Sequence, residues 1–180
     1  TVRKTSKNLD YNSRLASQVE KQKNFSHPTL RVPELFDTGL EEGLFFCDME
    51  YIKGVSFQDY CSVNTYSNIE QLFNKLLVDE DQQTEDKTDA IYKKCYSLSG
   101  FPMNLLSEVS WDIPVGTCHG DLTFENILVK DSELYLIDFL DSFLESSLID
   151  KSKLMQDTFC AWSFREKDYI PWHYLYLLNS

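Results

Sequence analysis

The sequence is poor in the residues that mark several large protein classes. It has six glycines and five prolines in 180 residues, which excludes collagen-like and low-complexity chains. No run of 18 apolar residues occurs, so no segment reads as a transmembrane helix. Thr1 to Asn12 is polar and lacks the apolar stretch of a secretory signal. Basic residues are scarce: 17 Lys and Arg stand against 29 Asp and Glu, a net charge of −12, and the pI is near 4.6. Phosphate backbones and anionic lipid repel such a chain, which argues against a nucleic-acid or membrane partner. The five cysteines contain no CxxC pair and are odd in number. That disfavours a zinc ribbon and a secreted disulfide framework. Buried free thiols in a reducing cytoplasm are the expectation. No internal repeat is present.

What is present is a globular composition, 42% hydrophobic and 26% charged. The length fits one domain, or two small lobes sharing a core. Thr1–Ser6 is β-compatible. A helical pattern starts at Asn8, with Leu15, Ala16 and Val19 on one face and Asn8 or Asp10 as its cap. Leu35–Asp37 and Leu44–Tyr51 read as strands about a turn at Thr38–Gly43. Ser67–Leu77 and Thr88–Leu98 are helical by pattern. Between them, Asp79–Asp89 carries six acids and one lysine and reads as a solvated loop or helix end. Helical patterning returns from Ser146.

The most informative stretch follows Pro114. Ile127–Lys130 and Leu134–Ile137 are short apolar strands, and Asp131-Ser132-Glu133 between them reads as a three-residue hairpin loop. A loop centred on Ser132 pairs Lys130 with Leu134 and Ile127 with Ile137, and so sets Asn126 opposite Asp138. An amide and a carboxylate then converge at the open end of the hairpin. Both are oxygen donors, suited to a hard ion such as magnesium. Asp121 stands five residues before Asn126, beside His119 and Gly120, and is a candidate base. A one-residue slip in the pairing would spoil this geometry.

Taken singly, each of these residues has an ordinary structural reading; the joint pattern is specific. His119-Gly120-Asp121-Leu122-Thr123-Phe124-Glu125-Asn126 resembles the catalytic loop of the aminoglycoside phosphotransferase and choline kinase family, small-molecule kinases of protein-kinase-like fold. Leu136-Ile137-Asp138-Phe139 resembles its metal-binding aspartate motif. The resemblance implies that Asp121 orients the acceptor hydroxyl and takes its proton. It implies that Asn126 and Asp138 hold magnesium on the nucleotide phosphates, and that His119 braces the loop. Upstream, Lys4 resembles the phosphate-binding lysine of a third strand, and Glu20 the helix glutamate that pairs with it. Met49–Gly54 resembles the hinge, where Glu50 and Ile52 would offer backbone groups to the adenine edge. Asp150 resembles the aspartate that supports the catalytic loop.

The departures from the pattern carry information. No Gly-rich loop precedes Lys4, so the expectation is a partial N-lobe, from either a partial record of a longer protein or a truncated lobe. Gly120 stands where protein kinases carry arginine, Leu140 where they carry glycine, and no APE-like segment follows. These differences favour a small-molecule acceptor over a protein one. The resemblance therefore implies an α+β, protein-kinase-like, two-lobed fold with an incomplete N-lobe over 1–52 and a mostly helical C-lobe over 53–180. It implies magnesium-assisted transfer of the γ-phosphate of ATP or GTP to a hydroxyl of a sugar, amino sugar or amino alcohol. Asp141, Glu145 and Asp150 after the metal motif suggest a negative cleft, which would favour cationic acceptors. The rival reading is a degenerate kinase-like module that binds nucleotide or a partner without chemistry.

Overall fold

The computed structural model describes residues 1–78, 83–106, 111–168 and 170–171. The chain opens with strand β1 (Val2–Thr5), followed by helix α1 (Asn12–Asn24). A 3₁₀ turn at Leu9–Tyr11 precedes α1, and Asn8 caps that turn by accepting from Tyr11 N–H at 3.0 Å. Along α1 the buried residues are Leu15, Gln18, Val19 and Gln22, one face at helical spacing. Short strand β2 (Leu30–Arg31) follows, then β3 (Leu35–Glu41) and β4 (Leu44–Met49). The β3–β4 turn is only Glu42–Gly43, since Glu41 pairs with Leu44. Both turn residues have positive φ, 52° and 81°, as a two-residue type I′ hairpin requires. The six-residue turn expected at Thr38–Gly43 is thus mostly strand.

β1, β4 and β3 form one antiparallel sheet in that order. Alternation along β1 sends Arg3 and Lys4 to opposite faces. Arg3 meets the exposed-side acids Asp48 and Glu41, both at 2.7 Å, while Lys4 turns toward α1 and the chain beyond. Leu15 and Val19 of α1 pack on Cys47 of β4.

Strand β5 (Val55–Ser56) leads into helix α2 (Phe57–Val63), capped by Ser56 Oγ, which accepts from Asp59 N–H. Helix α3 (Tyr66–Leu76) buries Ile69, Leu72, Phe73 and Leu76, again an i, i+3, i+4, i+7 face. Strand β6 (Thr84–Asp86), helix α4 (Thr88–Tyr96) and strand β7 (Asp112–Pro114) come next. β6 pairs antiparallel with β7, so part of the acidic stretch is strand rather than solvated loop. Of its remaining acids, Asp89 stands in the first turn of α4, while Asp79, Glu80 and Asp81 lie outside the described residues. Strands β8 (Ile127–Lys130) and β9 (Glu133–Leu136) form the expected hairpin, and helix α5 (Ser147–Cys160) ends the main architecture.

A second sheet runs β2-β9-β8-β5, with β2 parallel to β9 and the other pairs antiparallel. The largest core cluster lies between this sheet and the helices. It includes Phe57, Ile69, Phe73, Phe124, Leu134 and Leu154. The rings of Phe57 and Phe124 meet edge-on at 4.8 Å between centroids. Each such fully buried aromatic contributes about 2–3 kcal/mol through burial.

Candidate active site

His119 is fully buried, and the rest of the loop is organised round it. Its Nε2 lies 2.7 Å from the Ile137 carbonyl, and its Nδ1 accepts from Asp121 N–H at 3.2 Å. The network therefore assigns the Nε2–H tautomer. Burial pulls the imidazole pKa down from 6.5 to about 4, against the bond to Ile137, so the ring is neutral near pH 7. The ring also packs on Phe139, with centroids 4.4 Å apart. The brace expected of His119 thus ties the catalytic loop to the strand end that carries Asp138.

Gly120 has φ +89°, and a Cβ there would overlap the Leu140 carbonyl. Only glycine fits this crossing of the two loops.

Helix α5 fixes the loop from outside. Buried Asp150 accepts from His119 N–H at 2.6 Å and from Gly120 N–H at 2.8 Å. Burial pushes the Asp150 carboxyl up to about 6, although both N–H groups and Lys21 oppose the shift. Two turns further on, buried Asp157 accepts from Phe124 N–H at 2.7 Å. Asp157 was not foreseen; its signal was the Asp150 spacing of seven on one helical face.

Asp121 sits inside this clamp. Its Oδ1 is 3.0 Å from Lys153 Nζ, and its Oδ2 is 3.4 Å from Asn126 Nδ2. Asn126 Nδ2 also donates to the Asp121 carbonyl at 2.8 Å.

The hairpin register differs from expectation by one residue. Lys130 pairs with Glu133 and Ile127 with Leu136, so the loop is Asp131–Ser132 alone. Both have positive φ, 51° and 62°. Asn126 consequently lies opposite Ile137, whose N–H donates to the Asn126 carbonyl at 3.0 Å. Asp138 is not its direct partner. Asp138 has left the strand: its φ is +61°, a left-handed conformation that Asp tolerates better than most residues. Strand alternation therefore no longer dictates where its carboxylate points, and Asp138 Oδ1 meets Lys4 Nζ at 2.8 Å.

Lys4 thus pairs with Asp138 rather than with Glu20. Glu20 is exposed and engages Asn24 at 2.9 Å and Lys23 at 4.0 Å. The physical reason is helical phase. Leu15, Gln18, Val19 and Gln22 define the inward face, and Glu20 stands about 100° round from Val19. The polar residues that do face inward are Gln22, which donates to the Pro33 carbonyl at 3.0 Å, and Gln18, whose buried Oε1 has no hydrogen-bond partner among the described residues. Lys21, the neighbour of Glu20, crosses to the segment after Asp138. It donates to the Leu140 carbonyl, Ser142 Oγ and Glu145 Oε1 at 2.9–3.0 Å.

A cavity of about 380 Å³ lies between the two sheets. Lys4, Gln18, Glu50, Ile52 and Asp138 line it, which unites four of the sequence candidates on one wall system. Glu50 N–H is taken by the Glu34 carbonyl at 2.8 Å, and the Ile52 carbonyl by Gly54 N–H at 2.9 Å. The other backbone groups of these two cavity-lining residues are the Glu50 carbonyl and the Ile52 N–H. Those are one acceptor and one donor, two residues apart, at the cavity edge.

Among the described residues no group of three or more His, Cys, Asp or Glu is arranged to hold a metal ion. Asn126 and Asp138 each carry a side-chain oxygen, the hard donor type that a magnesium ion prefers. The expected negative cleft is weaker than the sequence implied. Asp141 lies 3.8 Å from Arg14, Glu145 is held by Lys21, and Asp150 is buried in the loop clamp.

No family model matches the chain, and no curated protein matches it. Solved structures do. A thermostable mutant of aminoglycoside phosphotransferase APH(4)-Ia, in ternary complex with ADP and hygromycin B, aligns over 89% of this chain and 72% of its own, at 14% identity and TM-score 0.52. Its apo form aligns over 99% and 72%, at 14% identity and TM-score 0.48. A complex with AMP-PNP and hygromycin B aligns over 90% and 71%, at 15% identity and TM-score 0.49. At such identity the likeness speaks to fold, and the ADP complex carries it. The fold is mixed α/β and similar to that of a kinase-like small-molecule phosphotransferase.

No helix among the described residues is long and apolar enough to cross a membrane.

Proposed function

We propose that the protein is a magnesium-dependent phosphotransferase that moves the γ-phosphate of ATP or GTP to a hydroxyl of a small polar molecule. In this reading residues 1–52 belong to a nucleotide-binding lobe and 53–180 to the lobe that carries the catalytic loop. The observation that carries it is the meeting of Lys4 and Asp138 at 2.8 Å on the wall of the 380 Å³ cavity. That contact joins the two sheets at the point where nucleotide phosphates and a cation would lie.

The roles follow from chemistry. The Glu50 carbonyl and Ile52 N–H read the adenine edge. Lys4 binds phosphate oxygens, as a compact cation suited to them. Asn126 and Asp138 would hold magnesium, which neutralises charge on the transferring group. Asp121 orients the acceptor hydroxyl and accepts its proton. Positioning and charge neutralisation supply most of the rate. The five cysteines are free, and we assign the protein to the reducing cytoplasm. Small hydroxyl acceptors are the proposed substrate class, and the neighbour's ADP complex with hygromycin B supports an amino sugar among them.

The test is transfer of labelled γ-phosphate from ATP and from GTP to glucose, glucosamine, ethanolamine and hygromycin B, with and without magnesium. Asp138→Ala and Asn126→Ala should each abolish the magnesium dependence of nucleotide binding. One observation favours the alternative, a nucleotide- or partner-binding module without catalysis: Lys4 occupies an oxygen of Asp138 that a metal would use. That module would bind nucleotide yet transfer nothing to any acceptor.

A further inference from the structure

The Lys153–Asp121 ion pair has no counterpart in the sequence pattern, and its setting separates it from an ordinary surface contact. Lys153 lies between Asp150 and Asp157 along α5, three residues after one and four before the other. Those two carboxylates are buried, and they grip the backbone of the loop at His119, Gly120 and Phe124. The helix is therefore registered to the loop at both ends of a two-turn span, with Asp121 facing the middle. Lys153 projects from that middle and reaches Asp121 Oδ1 at 3.0 Å. The lysine side chain is 38% exposed and the aspartate 26%, so the pair adds little to folding stability.

We propose that Lys153 is a positioning residue for the phosphoryl transfer, acting through Asp121. This rests on the phosphotransferase reading. The ammonium engages Oδ1 and the Asn126 amide faces Oδ2, which together fix the plane of the carboxylate. One lone pair of Oδ2 stays open to the acceptor hydroxyl. In the transfer step the acceptor oxygen forms a bond to the γ-phosphorus. The bond from that phosphorus to the β,γ-bridging oxygen breaks, and its electron pair leaves with the nucleoside diphosphate. The hydroxyl proton passes to Asp121. With Lys153 gone, the carboxylate rotates freely and meets the hydroxyl in productive geometry less often.

Misplacement of a catalytic group by about 1 Å can cost on the order of 10²-fold. The experiment compares Lys153→Met and Lys153→Arg, each alone and in an Asp121→Asn background, using the full chain, magnesium-ATP and the panel acceptor with the highest turnover. Lys153→Met should lower kcat by about 10- to 100-fold with the KM for ATP within about twofold and the melting temperature unchanged. Lys153→Arg should recover most of the loss. In the Asp121→Asn background, Lys153→Met should add less than about twofold, because the group it acts through is gone. A Lys153→Met enzyme within about twofold of wild type would overturn the inference, as would a loss that persists undiminished beside Asp121→Asn. Absence of transfer by the wild-type chain overturns the phosphotransferase reading and this inference with it.

Discussion

Lys4 Nζ and Asp138 Oδ1 lie 2.8 Å apart across a sequence separation of 134 residues. The contact joins β1 of one sheet to the residue just past β9 of the other. In the proposed phosphotransferase reading, a metal ion arriving at Asp138 would compete for the same oxygen and release the Lys4 ammonium to phosphate. Buried Gln18, whose Oε1 has no partner among the described residues, lines the same cavity.

Lys4→Met should therefore weaken binding of magnesium-ATP by about 10-fold or more, the worth of a charge-assisted hydrogen bond. Glu20→Ala should leave it within about twofold, because Glu20 faces solvent and its own helix. Isothermal titration of both variants checks this. Equal losses in the two would restore the Lys4–Glu20 pair that the structure lacks.

Gly120→Ala should destabilise the fold by at least about 2 kcal/mol. The new methyl would combine a φ of +89° with overlap of the Leu140 carbonyl. Urea unfolding measures it, and a change below about 0.5 kcal/mol would mean that the two loops separate easily.

His119 should titrate near pH 4 and hold the Nε2–H tautomer at neutral pH, both visible in ring ¹⁵N shifts. The sign for stability follows from a folded pKa below the unfolded 6.5. Between the two values the unfolded chain binds the extra proton, so stability falls as pH falls. The contribution is complete above about pH 6.5 and is lost progressively toward pH 4, by roughly 3 kcal/mol. A ring that titrates near 6.5 in the folded protein would contradict this.

The local motif was readable because its parts are neighbours in sequence. Asp121 and Asn126 share one loop, and Asp138 follows a strand whose apolar character is plain. The hairpin slipped by one because Asp131 and Ser132 both adopt positive φ, which neither residue advertises as an Asn-Gly pair would. Glu20 has the sequence distance from Lys4 that the resemblance asks for, whereas burial follows the phase set by Leu15 and Val19. Lys21 and Lys153 reach partners more than thirty residues away along the chain, from positions where the sequence shows only a charged helical face. The strand at Thr84–Asp86 is acidic and wholly exposed, so its pairing with Asp112–Pro114 left no hydrophobic trace.

The central claim is that Asp121 serves a phosphoryl transfer from nucleotide to a small hydroxyl acceptor. The most direct measurement is the rate of labelled phosphate transfer by wild type and by Asp121→Asn, with magnesium-ATP affinity determined for both. The predicted result is transfer by the wild type, unchanged nucleotide affinity in the variant, and a rate lower by at least about 10²-fold. Nucleotide binding without transfer by the wild type, or equal transfer rates in the two proteins, would contradict it.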